Sequence, residues 1–351
     1  MNLYGREWSR RELEARMGRI EQVSGLRRAV LSEGPEAGVE QIQVRTGAGL
    51  EFTVNPSRGL DIGLAEFGGI PLCWLSPNGE AHPAYFDDRD LGWLRTAAGG
   101  LLMTCGLTQV GSPGEENGEL LGLHGRVHHT PARQVCAEGR WEGDEYLMTV
   151  RGQVEETCIF GSHLRLQRTI TSRLGQNAIF IHDLVENPGF EPAPLMLLYH
   201  FNFGFPLLCE DTHITFPSRR VVPREAGLSL QGLEGWQAPQ VACSEHVYYH
   251  EDLIADPNGW VEVCIHNPQF PLPGRQARRP LSVRLAWEKQ NLPELVQWQM
   301  QGEGTHVLGI EPANCRVGGR VAERARGSLV TLAPGQSVEY HLEISVSEEA
   351  R

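Results

Sequence analysis

The sequence predicts an all-β protein, a large antiparallel β-sandwich preceded by a short N-terminal helical arm. Apolar and polar residues alternate with a period of two over long stretches, which is the pattern of half-buried strands. Glycine accounts for 40 of the 351 residues and proline for 22, which indicates many short turns. Because strand follows strand without helical periods between them, the pattern favours an antiparallel sandwich or barrel.

The N-terminal arm, residues 1–25, is expected to contain one short helix. The segment Ser9-Arg10-Arg11-Glu12 fits a capping box, in which Ser9 and Glu12 each accept a hydrogen bond from the other's backbone N–H. This predicts a helix from about Ser9 to Met17. Residues 26–351 contain no linker, repeat or low-complexity block, and we interpret them as a single β-domain.

Alternation is clearest in three stretches, residues 163–170, 281–287 and 338–344. Each is expected to form a strand with one face in the core. Turn signals lie between the strands at Gly139, Gly143-Asp144, Gly175-Gln176-Asn177, Asp256-Pro257-Asn258-Gly259 and Pro334-Gly335.

Composition excludes several classes of protein. The net charge is -13 and no run of Lys or Arg offsets it, so nucleic acid is not an expected partner. No stretch has the length and apolarity of a signal peptide or a membrane span, and no membrane partner is expected. The eight cysteines are scattered without a CxxC pair, which favours reduced thiols and a cytoplasmic location over an extracellular disulfide framework.

Missing motifs narrow the chemistry. Lys289 is the only lysine and lies in a polar stretch, so a lysine-dependent aldolase or transaminase is not expected. The chain contains no GxGxxG after a strand and no GxxxxGK[ST], HExxH or GxSxG. Any catalysis must therefore come from dispersed side chains.

Three residues are candidates for acid–base chemistry. Glu311 follows the apolar segment Val307–Ile310, and Pro312 is expected to end normal strand pairing there. Apolar surroundings raise the pKa of a carboxyl and make it a useful base, although an exposed edge-strand glutamate is an equally open interpretation. His200 lies among apolar residues, as a core histidine or a proton donor would. His124 lies beside Gly125, which suits close approach by a ligand but also suits a turn.

Other polar groups come from segments where strands meet turns. We expect one cleft to be lined, together with His124 and His200, by the substrate-binding candidates Arg58, Asp61, Arg126, Asn202 and Gln299. Trp74 and Trp298 are candidates for stacking on a sugar face, or ordinary core aromatics. His124 and His128 have HxxxH spacing, but Gly125 argues against a helix there, and no metal is predicted. His182, His246 and His250 are assigned to surfaces or strands.

Four of these segments resemble the aldose 1-epimerase-like, galactose mutarotase superfamily. Gly122-Leu123-His124-Gly125-Arg126 looks like the family's His-Gly motif, and Leu198-Tyr199-His200-Phe201-Asn202 looks like its second histidine motif. Gly309-Ile310-Glu311-Pro312-Ala313 resembles the strand that carries the catalytic glutamate, and the segment that begins at Gly99 resembles the one before the first motif. The order of the three residues along the chain, His, His and then Glu, also matches. The resemblance covers nearly the whole chain.

The resemblance implies a supersandwich of two large antiparallel sheets that binds a small-molecule sugar in a cleft and interconverts its anomers. It assigns Glu311 as the base, His200 as the acid and His124 as a substrate-polarising group, and it requires no cofactor. Two features depart from the family. Thr104 and Cys105 stand where galactose-type members have a basic stretch, and the usual sugar-binding aspartate between the second histidine and the glutamate has no clear counterpart.

Two other functions stay open at this point. The chain could be a non-catalytic carbohydrate-binding protein on the same fold, since a fold does not settle function. It could also be a metal-dependent sugar isomerase that uses the histidines. The sequence names neither the sugar nor the oligomeric state, and a homodimer remains open.

Overall fold

The computed structural model describes residues 1–273 and 278–348, which form 24 strands and two α-helices. The helices are α1 (Arg10–Glu14) and α2 (Arg320–Arg326), and short 3₁₀ helices span Ile20–Gln22, Gly34–Glu36, Pro83–Tyr85, Gly92–Arg95 and Val127–His129. The strands are β1 (Asn2–Leu3), β2 (Arg6–Glu7), β3 (Gly25–Val30), β4 (Glu40–Arg45), β5 (Leu50–Asn55), β6 (Asp61–Phe67), β7 (Ile70–Pro71), β8 (Leu102–Leu107), β9 (Gly114–Glu116), β10 (Glu119–Leu121), β11 (Arg133–Glu142), β12 (Glu145–Thr157), β13 (His163–Arg173), β14 (Ala178–Glu186), β15 (Ala193–Phe203), β16 (His213–Thr215), β17 (Arg220–Pro223), β18 (His246–Glu251), β19 (Trp260–Phe270), β20 (Arg279–Glu288), β21 (Glu294–Gly302), β22 (Thr305–Ala313), β23 (Val330–Leu332) and β24 (Ser337–Ser347).

Two large antiparallel sheets pack face to face. The smaller has eight strands in the order β11-β12-β13-β14-β24-β20-β19-β16. The larger has twelve and follows β17-β18-β21-β22-β15-β8-β6-β5-β4-β3, with β23 paired to β15 and β7 to β6. This is the predicted β-sandwich. Among the described residues, no helix combines the length and apolarity needed to cross a membrane.

Burial differs between the two sheets. In β13 buried and partly buried residues alternate along the whole strand, because its second face meets solvent. In β8 all six residues are buried, and β15 is buried almost throughout. The central strands of the larger sheet therefore have both faces covered, one by the smaller sheet and the other by loops. Loop residues such as Trp93 and Val110 form a second apolar cluster with that outer face.

The sequence predictions for local structure are largely confirmed. The three alternating stretches lie in β13, β20 and β24, and the capping box of Ser9 and Glu12 is present at α1. The helix ends at Glu14 rather than Met17, and its one buried residue is Leu13. Leu3 and Leu13 both join the main core, so the arm packs on the sandwich. The division at residue 25 stays a prediction.

One turn prediction is wrong. Gly139 lies inside β11, where it pairs with Met148 of β12. A Cβ atom at Gly139 would lie 2.0 Å from the hydroxyl oxygen of Tyr146, so the glycine makes room for an aromatic ring rather than for a turn. The other four turn signals do lie between strands, after β11, β13, β18 and β23.

Buried ion pairs connect the two sheets. Arg168 on β13 is fully buried and pairs with Asp183 on β14 at 2.7 Å. The same guanidinium bonds to Asp61 on β6 of the larger sheet at 2.9 Å, and to the Thr104 hydroxyl at 2.9 Å. The Tyr199 hydroxyl donates to Asp183 at 2.8 Å. One arginine thus satisfies two buried carboxylates that belong to opposite sheets.

We expect Arg168→Met to destabilise the protein strongly, because it leaves Asp61 and Asp183 without their buried counter-charge. The expected loss in the free energy of unfolding is about 3–5 kcal/mol, measured by urea denaturation. Arg165→Met is the matched control on the same strand. Arg165 is 29% exposed and its ion pairs lie at the surface, so its loss should cost about 0–1 kcal/mol. Equal losses for the two variants would contradict the role of the buried pair.

Candidate active site

Two neighbouring strands bring the predicted base and acid together. His200 on β15 and Glu311 on β22 lie side by side, since Phe201 pairs with Ile310 and Asn202 with Gly309. The distance between His200 Nε2 and Glu311 Oε1 is 3.2 Å. Both side chains point away from the core between the sheets, which their neighbour Ile310 joins. The pair therefore lies on the loop-covered outer face of the larger sheet.

The strand that carries Glu311 does not stop at the proline. β22 continues through Pro312, which pairs with Leu295, to Ala313. The expectation that Pro312 ends the pairing is wrong, because the adjacent strands still hold the chain on both sides of it. Glu311 is thus a residue of the central sheet, 2% exposed, rather than an edge-strand glutamate in water.

Gly309 provides the space in which the pair meets. It lies two residues before Glu311 on the same face of β22. A Cβ atom there would come within 2.7 Å of Glu311 Oε1 and 3.2 Å of His200 Cε1. It would also lie 3.0 Å from the Cβ atom of Trp298. Any side chain at this position would push the carboxylate or the imidazole out of place.

A loop positions His124 beside the pair of His200 and Glu311. Its backbone is in the left-handed region, with φ of 56°, and Gly125 follows at 71°. The N–H of His124 donates to Gly111 O, and its carbonyl accepts from Gly106 N, both at 3.0 Å. These bonds hold the ring centroid 6.0 Å from that of His200, edge to face. Within the described chain, the Nδ1 atoms of both histidines are buried without a hydrogen-bond partner.

Burial controls the charge of this group. Burial, assisted by Glu245 and opposed by Arg224, raises the pKa of Glu311 to about 8. Burial and, to a smaller extent, His124 together lower the pKa of His200 to about 3. The pKa of His124 falls to about 4 through burial and then through Arg224. Near pH 7 the pair is therefore mostly uncharged and holds one proton, which lies mainly on the carboxyl group.

Trp298, Glu245 and Arg224 complete the surroundings of the pair, and the sequence singled out only the first of them. The indole Nε1 of Trp298 donates to Glu245 Oε2 at 3.0 Å, and Arg224 donates to Glu245 Oε1 at 2.7 Å. The Trp298 ring lies 5.4 Å from the His200 ring. Arg224 follows β17 and Glu245 precedes β18, so strand pairing brings them together across a long loop. No local pattern marks either residue, whereas Trp298 was a stacking candidate.

The substrate-binding candidates divide into two groups. Asn202 shares the face of His200 and donates from Nδ2 to the carbonyl oxygens of Gly100 and His200, each at 3.0 Å. Arg126 is two residues from His124, but its side chain is half exposed and pairs with Asp88 at 2.5 Å. Asn202 thus lies at the site and orders its backbone, while Arg126 lies on the surface nearby.

Arg58 and Asp61 do not line a cleft, because both are fully enclosed by protein. Asp61 accepts from Nδ1 of His128 at 2.7 Å, and Nε2 of His128 lies 2.6 Å from an Nη atom of Arg58. Because arginine only donates, Nε2 of this ring accepts and Nδ1–H donates. Both ring nitrogens of His128 are therefore engaged by hydrogen bonds within the protein. Arg58 and Asp61 hold this ring, which lies beside Trp93.

Gln299 lies on the other face of the larger sheet. It is adjacent to Trp298 on β21, and successive side chains of a strand point to opposite faces. Gln299 pairs with Leu308, which belongs to the core between the sheets. The side chain of Gln299 therefore points away from Glu311, because neighbouring residues of a strand lie on opposite faces of the sheet.

Comparison with known proteins agrees with this geometry at the level of the fold. The family model described as a domain of unknown function, DUF4432, matches residues 36–346. The chain belongs to this family. A comparison with curated proteins finds none that matches this DUF4432 member.

Solved structures show the galactose mutarotase-like fold for this DUF4432 member. A Klebsiella pneumoniae protein assigned provisionally as an aldose 1-epimerase is 25% identical with a TM-score of 0.82, over 92% of this chain and 83% of that one. A galactose mutarotase-like protein from Clostridium acetobutylicum is 12% identical with a TM-score of 0.62, over 93% and 100%. A galactose 1-epimerase from Lactobacillus acidophilus is 11% identical with a TM-score of 0.55, over 93% and 100%.

The raised pKa of Glu311 predicts how its replacement changes stability with pH. An unfolded glutamate ionises near 4.5, and the folded one near 8. The folded state thus binds this proton more tightly, and wild-type stability falls as pH rises through that window. The glutamine of Glu311→Gln does not ionise, so the stability of this variant does not fall in that window. Relative to wild type, the variant should gain up to about 2–3 kcal/mol in the free energy of unfolding between pH 6 and pH 9.

Chemical denaturation at several pH values measures this difference. Glu262→Gln is the control, since it removes a carboxylate that is 43% exposed and reports the effect of a lost surface charge. A constant difference between Glu311→Gln and wild type over this range would mean that Glu311 ionises in the folded protein as easily as in water.

Proposed function

We propose that this protein is an aldose 1-epimerase-like enzyme that interconverts the anomers of a sugar. The observation that carries the proposal is the desolvated pair of Glu311 and His200, whose polar atoms are 3.2 Å apart on adjacent strands. Mutarotation needs one group that accepts a proton and one that donates a proton, and this pair holds one proton between them. A binding protein needs hydroxyl contacts but no such pair.

The reaction uses the pair in its ion-pair form, with Glu311 ionised and His200 protonated. Glu311 accepts the proton of the anomeric hydroxyl while His200 donates a proton to the ring oxygen, and the bond between C1 and the ring oxygen breaks. The open chain rotates about the C1–C2 bond. The two transfers then run in reverse on the other face of C1, and the pair regains its starting proton.

Burial of the empty pair favours the uncharged form, with the proton on Glu311. A bound sugar changes this balance, because its hydroxyl groups donate to the carboxylate and stabilise the ionised state. The proton then moves across the 3.2 Å separation to His200. In this way substrate binding itself prepares the acid and the base.

Three further residues hold the sugar in this proposal. The ring of His124 lies 6.0 Å from that of His200, and its Nδ1 atom, which has no partner within the protein, accepts from, or donates to, a substrate hydroxyl. Trp298 offers an apolar ring beside His200. Glu245 lies between His200 and Glu311 in the chain, as the sugar-binding aspartate of the family does, and we assign it to accept hydrogen bonds from hydroxyl groups. Arg126 stays a proposed rim contact.

The cellular setting is also a proposal. All eight cysteines are free thiols in the described chain, which fits a reducing compartment such as the cytoplasm.

The decisive experiment is NMR measurement of anomer exchange with a panel of aldoses, ketoses and sugar phosphates. We expect the wild-type protein to accelerate exchange of at least one. Glu311→Gln and His200→Asn should each lower turnover by roughly 10²–10⁴, because each removes one positioned proton-transfer group. The double variant should lose less than the product of the two losses, since both groups act in one path.

Folding of each variant is checked by its circular dichroism spectrum, and sugar binding by NMR line broadening. Measurable binding without exchange for any sugar would favour the carbohydrate-binding alternative. Full exchange activity in Glu311→Gln would refute the mechanism. Activity that disappears on chelation and returns with metal would instead support the metal-dependent isomerase.

Substrate contacts should affect the kinetics differently from the acid–base pair. We expect Glu245→Gln and His124→Asn to raise KM by about 10-fold or more, with a smaller change in kcat, because they remove hydrogen bonds made throughout the reaction. Glu262→Gln, on the smaller sheet, is the control for the loss of one exposed carboxylate. Saturation kinetics distinguish the two effects, and a fall in kcat alone for Glu245→Gln would contradict its assignment as a binding residue.

A further inference from the structure

A second cluster of imidazole and carboxylate groups lies on the outer face of the smaller sheet. His182 on β14 pairs directly with His341 on β24, and Glu339 lies two residues before His341 on the same face. The adjacent residues Ile181, Tyr340 and Leu342 point the other way, into the core between the sheets. This cluster is therefore separated from the pair of His200 and Glu311 by both sheets.

The donor atoms of the cluster converge. Oε2 of Glu339 lies 3.3 Å from Nε2 of His182 and 3.6 Å from Nε2 of His341. Ligand atoms at the corners of a tetrahedral Zn²⁺ site with bonds of about 2.1 Å are about 3.4 Å apart. Two of the three edges thus already have the length that one shared metal ion requires.

The third edge closes by a small movement. The imidazole rings of His182 and His341 are stacked, with centroids 4.5 Å apart and planes within 5°. One ligand atom from each of the three residues falls within 4.8 Å of the others. The side chains are 47% and 37% exposed, so either ring can turn toward a common point without disturbing the core.

The charges around the cluster favour a cation. Glu343 is the next residue of β24 on this face, and the neighbouring Arg284 is engaged by Glu343 at 2.7 Å and by Glu262 at 2.9 Å. The whole chain carries a net charge of -13. In the described residues this is the one group of three or more His, Cys, Asp or Glu whose ligand atoms meet this closely.

We propose that His182, Glu339 and His341 bind one divalent transition-metal ion of the Zn²⁺ class at the surface of the smaller sheet. Two neutral imidazoles and a carboxylate suit Zn²⁺ or Ni²⁺ rather than Mg²⁺ or Ca²⁺, which prefer oxygen ligands. Because the ligands are exposed, the remaining coordination positions stay open to water. This site is independent of the sugar chemistry.

Calorimetric titration of the chelator-treated, full-length protein with Zn²⁺, and separately with Ni²⁺, tests the proposal. We expect one ion per chain at this site. His341→Ala and Glu339→Gln should each weaken that binding at least 10-fold, and Glu339→Gln keeps the shape of the surface. Wild type and all the variants share the same free cysteines, so metal binding by cysteine is the same in each. A difference in metal affinity between them is therefore due to the cluster.

The matched control is His213→Ala, which interrupts another cross-strand histidine pair, His213 with His266 on β16 and β19. It should leave the binding unchanged. The proposal is overturned if wild type takes up no ion at this stoichiometry, or if either His341→Ala or Glu339→Gln binds as tightly as wild type. Any anomer exchange should continue unchanged in both variants, since neither residue approaches the pair of His200 and Glu311.

Discussion

The guanidinium of Arg168 connects the two sheets at the centre of the molecule. It neutralises Asp183 on its own sheet and Asp61 on the other, where all three side chains are almost fully buried. An isolated buried charge is costly, so this arginine fixes the spacing and register of the sheets more specifically than apolar contact alone. Loss of either carboxylate would leave the other groups of the network unsatisfied.

The same network also supports the loop that carries His124 in the candidate active site. Asp61 holds the neutral imidazole of His128, whose pKa burial and then Arg58 keep well below its usual range. The His128 ring in turn lies 5.9 Å from Trp93, and Trp93 lies 4.9 Å from His124. A charged cluster between the sheets thus positions the loop that covers the outer face. Arg58 and Asp61 contribute to the site by supporting that loop rather than by touching a ligand.

The pair of Glu311 and His200 illustrates a conflict between stability and chemistry. The covering loops remove water from both groups, and each then resists its charged form. This desolvation destabilises the folded protein at pH values where a free glutamate would ionise. The same desolvation keeps the proton on Glu311, so in the proposed mechanism the hydrogen bonds of a bound sugar must offset it before the proton moves to His200. Gly309 makes the arrangement sterically feasible, since it leaves the space that the carboxylate and imidazole share.

The sequence by itself determined the antiparallel strands, because alternation with a period of two is a local property of the chain, and the family resemblance pointed to the sandwich. It also singled out Glu311, His200 and His124 as candidates, through their glycine and apolar neighbours together with the resemblance of their segments to the mutarotase superfamily. Tertiary structure alone decided which other polar residues join them. Gln299 falls on the wrong face by one residue of register, and Arg58 and Asp61 are enclosed by a network whose partners are distant in the chain. Glu245 and Arg224 meet the site only because β17 pairs with β18, so no short segment could have revealed them.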